Sequence, residues 1–202
     1  MPKALVIFLH GVGSNGADLA PLGQHWATLL PDVKFAAPNA PFEFEGGFGG
    51  YQWFSLAGVT SDNRPQRVQA AREAFDATLT QIMAQHGMAE AWDKVILVGF
   101  SQGSIMALDA LATGRYPLAG VVAFSGRLAC DDALTPRQHT PALLIHGQAD
   151  GVIPWQESES ACQRLRAADL PVELAYERST EHTISPEGAL RAATFIAQCL
   201  RD

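Results

Sequence analysis

The stretch Lys94 to Met106, K-V-I-L-V-G-F-S-Q-G-S-I-M, decides how the rest of the chain is read. Val95 to Val98 is a run of branched apolar residues, the composition of a buried strand. It runs into Gly99-Phe100-Ser101-Gln102-Gly103 and then into a helical run, Ser104 to Thr113. Glycines flanking a serine at this spacing permit a tight strand-to-helix turn with the serine at its apex. Its hydroxyl is then exposed, and the next residue's amide is free to hold an oxyanion. The pattern alone is common in loops; its position between strand and helix gives it chemical meaning.

The regions on either side of this stretch repeat its architecture. Ala4 to Leu9 is an unbroken apolar run ending in the glycine-rich turn His10-Gly11-Val12-Gly13-Ser14-Asn15-Gly16. That turn lacks the G-x-x-x-x-G-K spacing of a phosphate-binding loop. A short helix is expected within Leu19 to Leu30, a strand at Val33 to Ala36, and a helix from Gln66 to about His86. Further strands are expected at Leu118 to Phe124, Pro141 to His146 and Pro171 to Tyr176, the last at a sheet edge. Helices are expected over Ser158 to Ala168 and after Ser185-Pro186, an N-cap with proline at the first helical position. Strands and helices alternating six times imply an α/β fold, a mostly parallel sheet covered on both faces. No internal repeat or domain boundary divides it, so a single domain over 1–202 is expected.

Composition narrows the function classes. Acids outnumber bases 21 to 14, a formal charge of −7, with no dense basic cluster, which argues against a nucleic-acid partner. The first ten residues hold only six consecutive apolar positions, so they read as a strand rather than a signal peptide, and no stretch approaches membrane-spanning length. Cys130, Cys162 and Cys199 are odd in number and widely spaced, as expected of reduced thiols in a cytoplasm rather than a disulfide framework or zinc site.

Ligands of a parallel sheet collect at the carboxyl ends of its strands. Ser101, Asp150 and His182 each follow a strand, in the chain order Ser, Asp, His of an α/β-hydrolase triad. A serine nucleophile needs a base within hydrogen-bond reach, and the base needs an acceptor to fix its tautomer. His25 and His86 lie in or beside helices, and His139 precedes a strand. His10 and His146 sit before glycines at strand ends, where a structural role is the plainer reading. Asp109 lies inside the nucleophile helix, and Asp131 and Asp132 lie in a polar loop. The oxyanion would be held by the amides of Gln102 and, from the first glycine turn, Val12. No metal-ligand spacing stands out.

Five segments together resemble the phospholipase/carboxylesterase family of α/β-hydrolases, which includes acyl-protein thioesterases and small bacterial carboxylesterases. They are F-L-H-G-V-G-S-N-G at Phe8 to Gly16, Q-W-F at Gln52 to Phe54, G-F-S-Q-G at Gly99 to Gly103, H-G-Q-A-D-G-V-I-P at His146 to Pro154 and H-T-I-S-P-E at His182 to Glu187. The resemblance implies a six-stranded α/β-hydrolase fold without the two leading strands of larger members. It also implies a catalytic Ser101, Asp150 and His182, no cofactor, and an ester, thioester or lysophospholipid substrate. A monomer or homodimer is expected. The chain departs from the family pattern at Ser104, where a second glycine is usual, and at Glu181, where glycine usually precedes the histidine.

The resemblance further implies that Trp53, with Gln52 and Phe54, lies by the substrate pocket. These residues belong to a segment, 38–64, rich in aromatics and glycines and without clear periodicity. It is expected to lie over the strand ends as a mobile loop whose Phe42, Phe44, Phe48, Trp53 and Phe54 wall the acyl site.

Overall fold

The computed structural model describes residues 2–201. Six strands form one parallel sheet: β1 (Ala4–Leu9), β2 (Val33–Ala36), β5 (Val95–Phe100), β6 (Gly120–Phe124), β7 (Ala142–Gly147) and β8 (Val172–Glu177). Their spatial order is β2-β1-β5-β6-β7-β8, with Leu5 paired to Val95, Ile96 to Gly120 and Ala142 to both Val121 and Val172. The chain starts at β1, moves outward to β2, then crosses back to β5 on the other side of β1. The strand order therefore reverses between β1 and β5, the crevice where parallel sheets take their ligands.

Alternation along the strands divides the core into two layers. Leu5, Ile7 and Leu9 of β1, with Leu97, face α2 (Arg64–Gln85), α3 (Gln102–Thr113) and α4 (Gln156–Ala167) through Phe75, Leu79, Ile105 and Leu165. Ala4, Val6 and Phe8, with Ile96 and Val98, face α1 (Ala20–Trp26) and α5 (Pro186–Cys199) through Trp26, Phe195 and Ile196. Burial on both faces explains why β1 and β5 read as continuous apolar runs. β8, at the edge, buries only Val172 and Ala175 and shows the half-alternation expected of it.

Two features differ from the sequence reading. The link between β6 and β7 contains no helix, so helices alternate with strands five times, not six. That link docks instead on the end of α3, where Thr135 N donates to Ala112 O and Arg137 Nε to Gly114 O. The 38–64 segment is not structureless either. It carries a two-residue hairpin, β3 (Phe42–Glu43) against β4 (Tyr51–Gln52), which is zipped to the first glycine turn by Gly13 N to Tyr51 O and Tyr51 N to Ser14 O, both 2.8 Å. Gly50 serves close approach there rather than mobility: a β-carbon on it would lie 2.0 Å from Gly13 O.

Candidate active site

Ser101 lies between β5 and α3 with φ 54° and ψ −116°, a conformation that costs about 1–3 kcal/mol in a non-glycine residue. Packing holds it there. Its amide donates to Phe124 O at 3.0 Å, and a β-carbon on Gly103 would lie 1.9 Å from Leu9 O, so only glycine lets α3 start this close to β1. Ser104, where the resemblance expected glycine, is fully buried with its hydroxyl donated to Phe124 O at 2.7 Å, so the departure leaves no unpaired polar group.

His182 and Asp150 reach Ser101 from two neighbouring loops. Asp150 follows β7, and His182 lies between β8 and α5. Gln148 N to Glu177 O and Ala149 N to Thr180 O, 2.8 and 3.0 Å, tie these loops together. His182 Nε2 lies 3.0 Å from Ser101 Oγ, and its Nδ1 donates to Asp150 Oδ2 at 2.7 Å. Asp150 Oδ1 accepts from the amides of Val152 and Ile153 at 2.8 and 2.9 Å. Burial opposes ionisation of Asp150, but the His182 bond and the Ile153 and Val152 amides outweigh it, holding its pKa below the ordinary carboxylate value. The carboxylate is thus kept as an acceptor that fixes the imidazole with Nε2 facing the serine. Glu181 is exposed to water.

The first glycine turn lies against the serine: a β-carbon on Gly11 would lie 3.3 Å from Ser101 Cβ. Among the described residues, neither the Val12 nor the Gln102 amide has an acceptor, and both lie on the turns that flank Ser101. His10 holds the turn, its Nδ1 donating to Gly11 O at 2.7 Å and its Nε2 accepting from Ala40 N at 2.9 Å. Burial lowers its pKa, consistent with a neutral imidazole that makes one donor and one acceptor bond. His146 is fully buried at the end of β7, while His25 is exposed on α1 and His86 bonds its own helix end.

The structure departs from the sequence reading at the substrate wall. Trp53 is 1% exposed, its indole N–H donates to His10 O at 2.9 Å, and its ring meets Phe75 edge-on at 5.4 Å. Gln102 pins the same segment, its Oε1 accepting from Trp53 N at 2.7 Å and its Nε2 donating to Phe54 O at 2.8 Å. Trp53 therefore braces the first glycine turn from behind, with almost none of its surface exposed. Phe48 points wholly into solvent. Gln52, Trp53 and Phe54 do border a groove of about 630 Å³ with Phe42, Glu45 and Arg67, but neither Ser101 nor His182 lines it.

A different cleft, about 500 Å³, is lined not by the triad itself but by Phe100 and Thr183, the chain neighbours of Ser101 and His182. Leu19, Leu22 and His25 wall it on one side, Ile184, Pro186 and Ala189 on the other, with Gly11 and Phe100 at its inner end. Phe100 precedes Ser101, and its ring centroid is 4.8 Å from that of His182. Sequence reading missed this cleft, because its walls come from α1 and the start of α5, which only the folded sheet brings together.

Also unforeseen was Asp109, fully buried in α3. It takes two bonds from Arg72 at 2.8 Å and one from Arg115 at 3.0 Å, tying α2 to the nucleophile helix. Among the described residues, no group of three His, Cys, Asp or Glu side chains could hold a metal ion.

A family model described as Phospholipase/Carboxylesterase matches residues 1–200. The chain belongs to that family. The esterase YpfH of Escherichia coli strain K12 is 34% identical over 182 residues, 90% of this chain and 77% of its own. Acyl-protein thioesterase 1 of Emericella nidulans is 28% identical over 198 residues, 88% of this chain and 79% of its own. The crystal structure of esterase PE8 superimposes with a TM-score of 0.84 at 36% identity, covering 98% of this chain and 93% of that one. Membership of the phospholipase/carboxylesterase family makes this chain a hydrolase of the serine type.

Proposed function

We propose that this chain hydrolyses short- to medium-chain carboxylic esters through an acyl-enzyme on Ser101. The observation that carries the reading is the continuous line Ser101 Oγ, His182 Nε2, His182 Nδ1, Asp150 Oδ2, with spans of 3.0 and 2.7 Å. His182 takes the proton of Ser101 as its oxygen attacks the ester carbonyl. The amides of Val12 and Gln102 hold the resulting oxyanion, each such donor being worth about 2.7–4 kcal/mol. Collapse of the tetrahedral adduct breaks the ester C–O bond, and His182 gives its proton to the leaving alcohol. Water, deprotonated by the same imidazole, then releases the acid.

The acyl chain is assigned to the cleft beside Phe100, whose Leu19, Leu22 and Ile184 supply apolar contact. Each buried methylene adds up to about 0.8 kcal/mol, roughly fourfold in kcat/KM, until the cleft is filled. On p-nitrophenyl esters the rate is expected to rise from acetate to butyrate or hexanoate and then fall. Leu22→Trp, which fills the cleft, should abolish the rise while leaving acetate within a few-fold. A uniform change on every ester would remove the cleft from the account.

A second reading, hydrolysis of acyl thioesters on proteins, is favoured by the similarity to acyl-protein thioesterase 1 and uses the same triad. An S-acyl peptide turned over faster than the matched ester would select it. A cytoplasmic location belongs to the same proposal, supported by three unpaired thiols, Cys130, Cys162 and Cys199. So does a monomeric or homodimeric state. Among the described residues, no helix is long and apolar enough to cross a membrane.

A further inference from the structure

His146 lies at the end of β7, fully buried directly behind the candidate triad. Its Nδ1 is 2.5 Å from Ser158 Oγ, and its Nε2 is 2.7 Å from Ile153 O and 3.4 Å from Asp150 Oδ2. A carbonyl can only accept, so Nε2 carries the proton, Nδ1 is bare and Ser158 donates to it. The tautomer is thus set by Ser158, itself 1% exposed in the first turn of α4. The Nε2–H donates to Ile153 O, and the same nitrogen lies 3.4 Å from the Asp150 oxygen that accepts from His182, an electrostatic contact rather than a hydrogen bond. The Ile153 amide, in turn, donates to Asp150 Oδ1 at 2.9 Å.

We propose that His146 is a positioning residue for catalysis: as a neutral Nε2–H imidazole oriented by Ser158, it anchors Ile153, whose amide holds the Asp150 carboxylate against His182. The inference rests on the serine-hydrolase reading and extends the line to Ser158–His146–Ile153–Asp150–His182–Ser101. It gives His146 a task beyond filling the core. By holding Ile153 O it fixes the turn whose Ile153 amide donates to Asp150 Oδ1, and its own Nε2 lies 3.4 Å from Oδ2, so the carboxylate is kept facing His182. The charged or titratable groups acting on His146 are Asp150, His182 and Glu157. Burial is the largest influence on its pKa and lowers it, which keeps the ring neutral while His182 cycles.

Without the His146 donor, Ile153 loses its anchor, Asp150 is held less firmly, and His182 is oriented less well toward Ser101. A glutamine amide nitrogen reaches roughly where Nε2 stands, whereas an asparagine nitrogen reaches only the Nδ1 position. Glutamine should therefore rescue and asparagine should not.

The test compares His146→Phe, His146→Gln, His146→Asn and Ser158→Ala by kcat and KM separately and by the low-field proton resonance of His182 Nδ1–H. The phenylalanine variant is expected to lose about 10- to 100-fold in kcat with KM within twofold, the magnitude typical of residues that orient a primary ligand. Its low-field resonance should shift or broaden, with His146→Gln closer to wild type than His146→Asn. Ser158→Ala, the milder change, should move the same readouts less. If the His146→Phe and His146→Gln proteins are equally impaired, with the resonance unmoved, His146 only fills the core and the proposal falls. A wild type inactive on every ester would overturn the esterase reading instead. The proton resonance still decides on His146 in that case, because it needs no substrate.

Discussion

Replacing Trp53 by phenylalanine isolates what that side chain does. The ring stays in place against Phe75, and only the indole N–H bond to His10 O, 2.9 Å long, is removed. That carbonyl belongs to a residue 1% exposed, so it is left buried without its donor at a cost of about 1–3 kcal/mol. In a domain of this size 1 kcal/mol moves Tm by about 2–4 °C, so a drop of roughly 2–12 °C is expected. The next residues in the chain are Gly11 and Val12. Slack there loosens one oxyanion donor, whose full loss would cost about 10²–10³ in kcat. A partial loss, about tenfold, is therefore expected, equal for acetate, butyrate, hexanoate and octanoate esters. The assay is a chain-length series on both proteins at one temperature well below either Tm. If the loss grew with chain length while acetate was spared, Trp53 would be lining the acyl site and the assignment of the cleft beside Phe100 would be wrong.

Asp109→Asn should cost about 3 kcal/mol, since Arg72, about four-fifths buried, loses its carboxylate partner, while Arg115 keeps its bonds to Asp76. Denaturant unfolding measures this; a change under 1 kcal/mol would show that water replaces the carboxylate. Filling the cleft through Leu22→Trp should erase the gain from longer acyl chains while sparing acetate. The positioning role of His146 is read from a loss in kcat at constant KM that His146→Gln rescues and His146→Asn does not.

The candidate triad was legible in the sequence because its logic is local. Ser101 sits between a run of branched residues and a helical run, and Asp150 and His182 each follow a strand, so a parallel sheet brings all three to one edge. His146 was legible only as a histidine before a glycine. Its environment depends on Ser158, twelve residues on, and on how the loop folds back to Ile153. The 38–64 segment misled for a physical reason. Its glycines suggested mobility, yet Gly50 is there because the hairpin backbone touches the oxyanion turn, a contact between residues far apart in sequence. Trp53 likewise suggested a binding wall, since a large aromatic beside a glycine-rich loop reads the same whether it faces ligand or core. The cleft walls carry no motif at all: Leu22 and Ile184 become neighbours only after α1 and α5 pack on the same face of the sheet.

The most direct test of the central claim is hydrolysis of p-nitrophenyl butyrate by the wild type and by Ser101→Ala, prepared identically and both shown to be folded. The account predicts turnover by the wild type and a loss of roughly 10³-fold or more in kcat for the variant, because the nucleophile is absent while Val12, Gln102 and His182 remain. An alanine protein that kept most of the wild-type rate would contradict it.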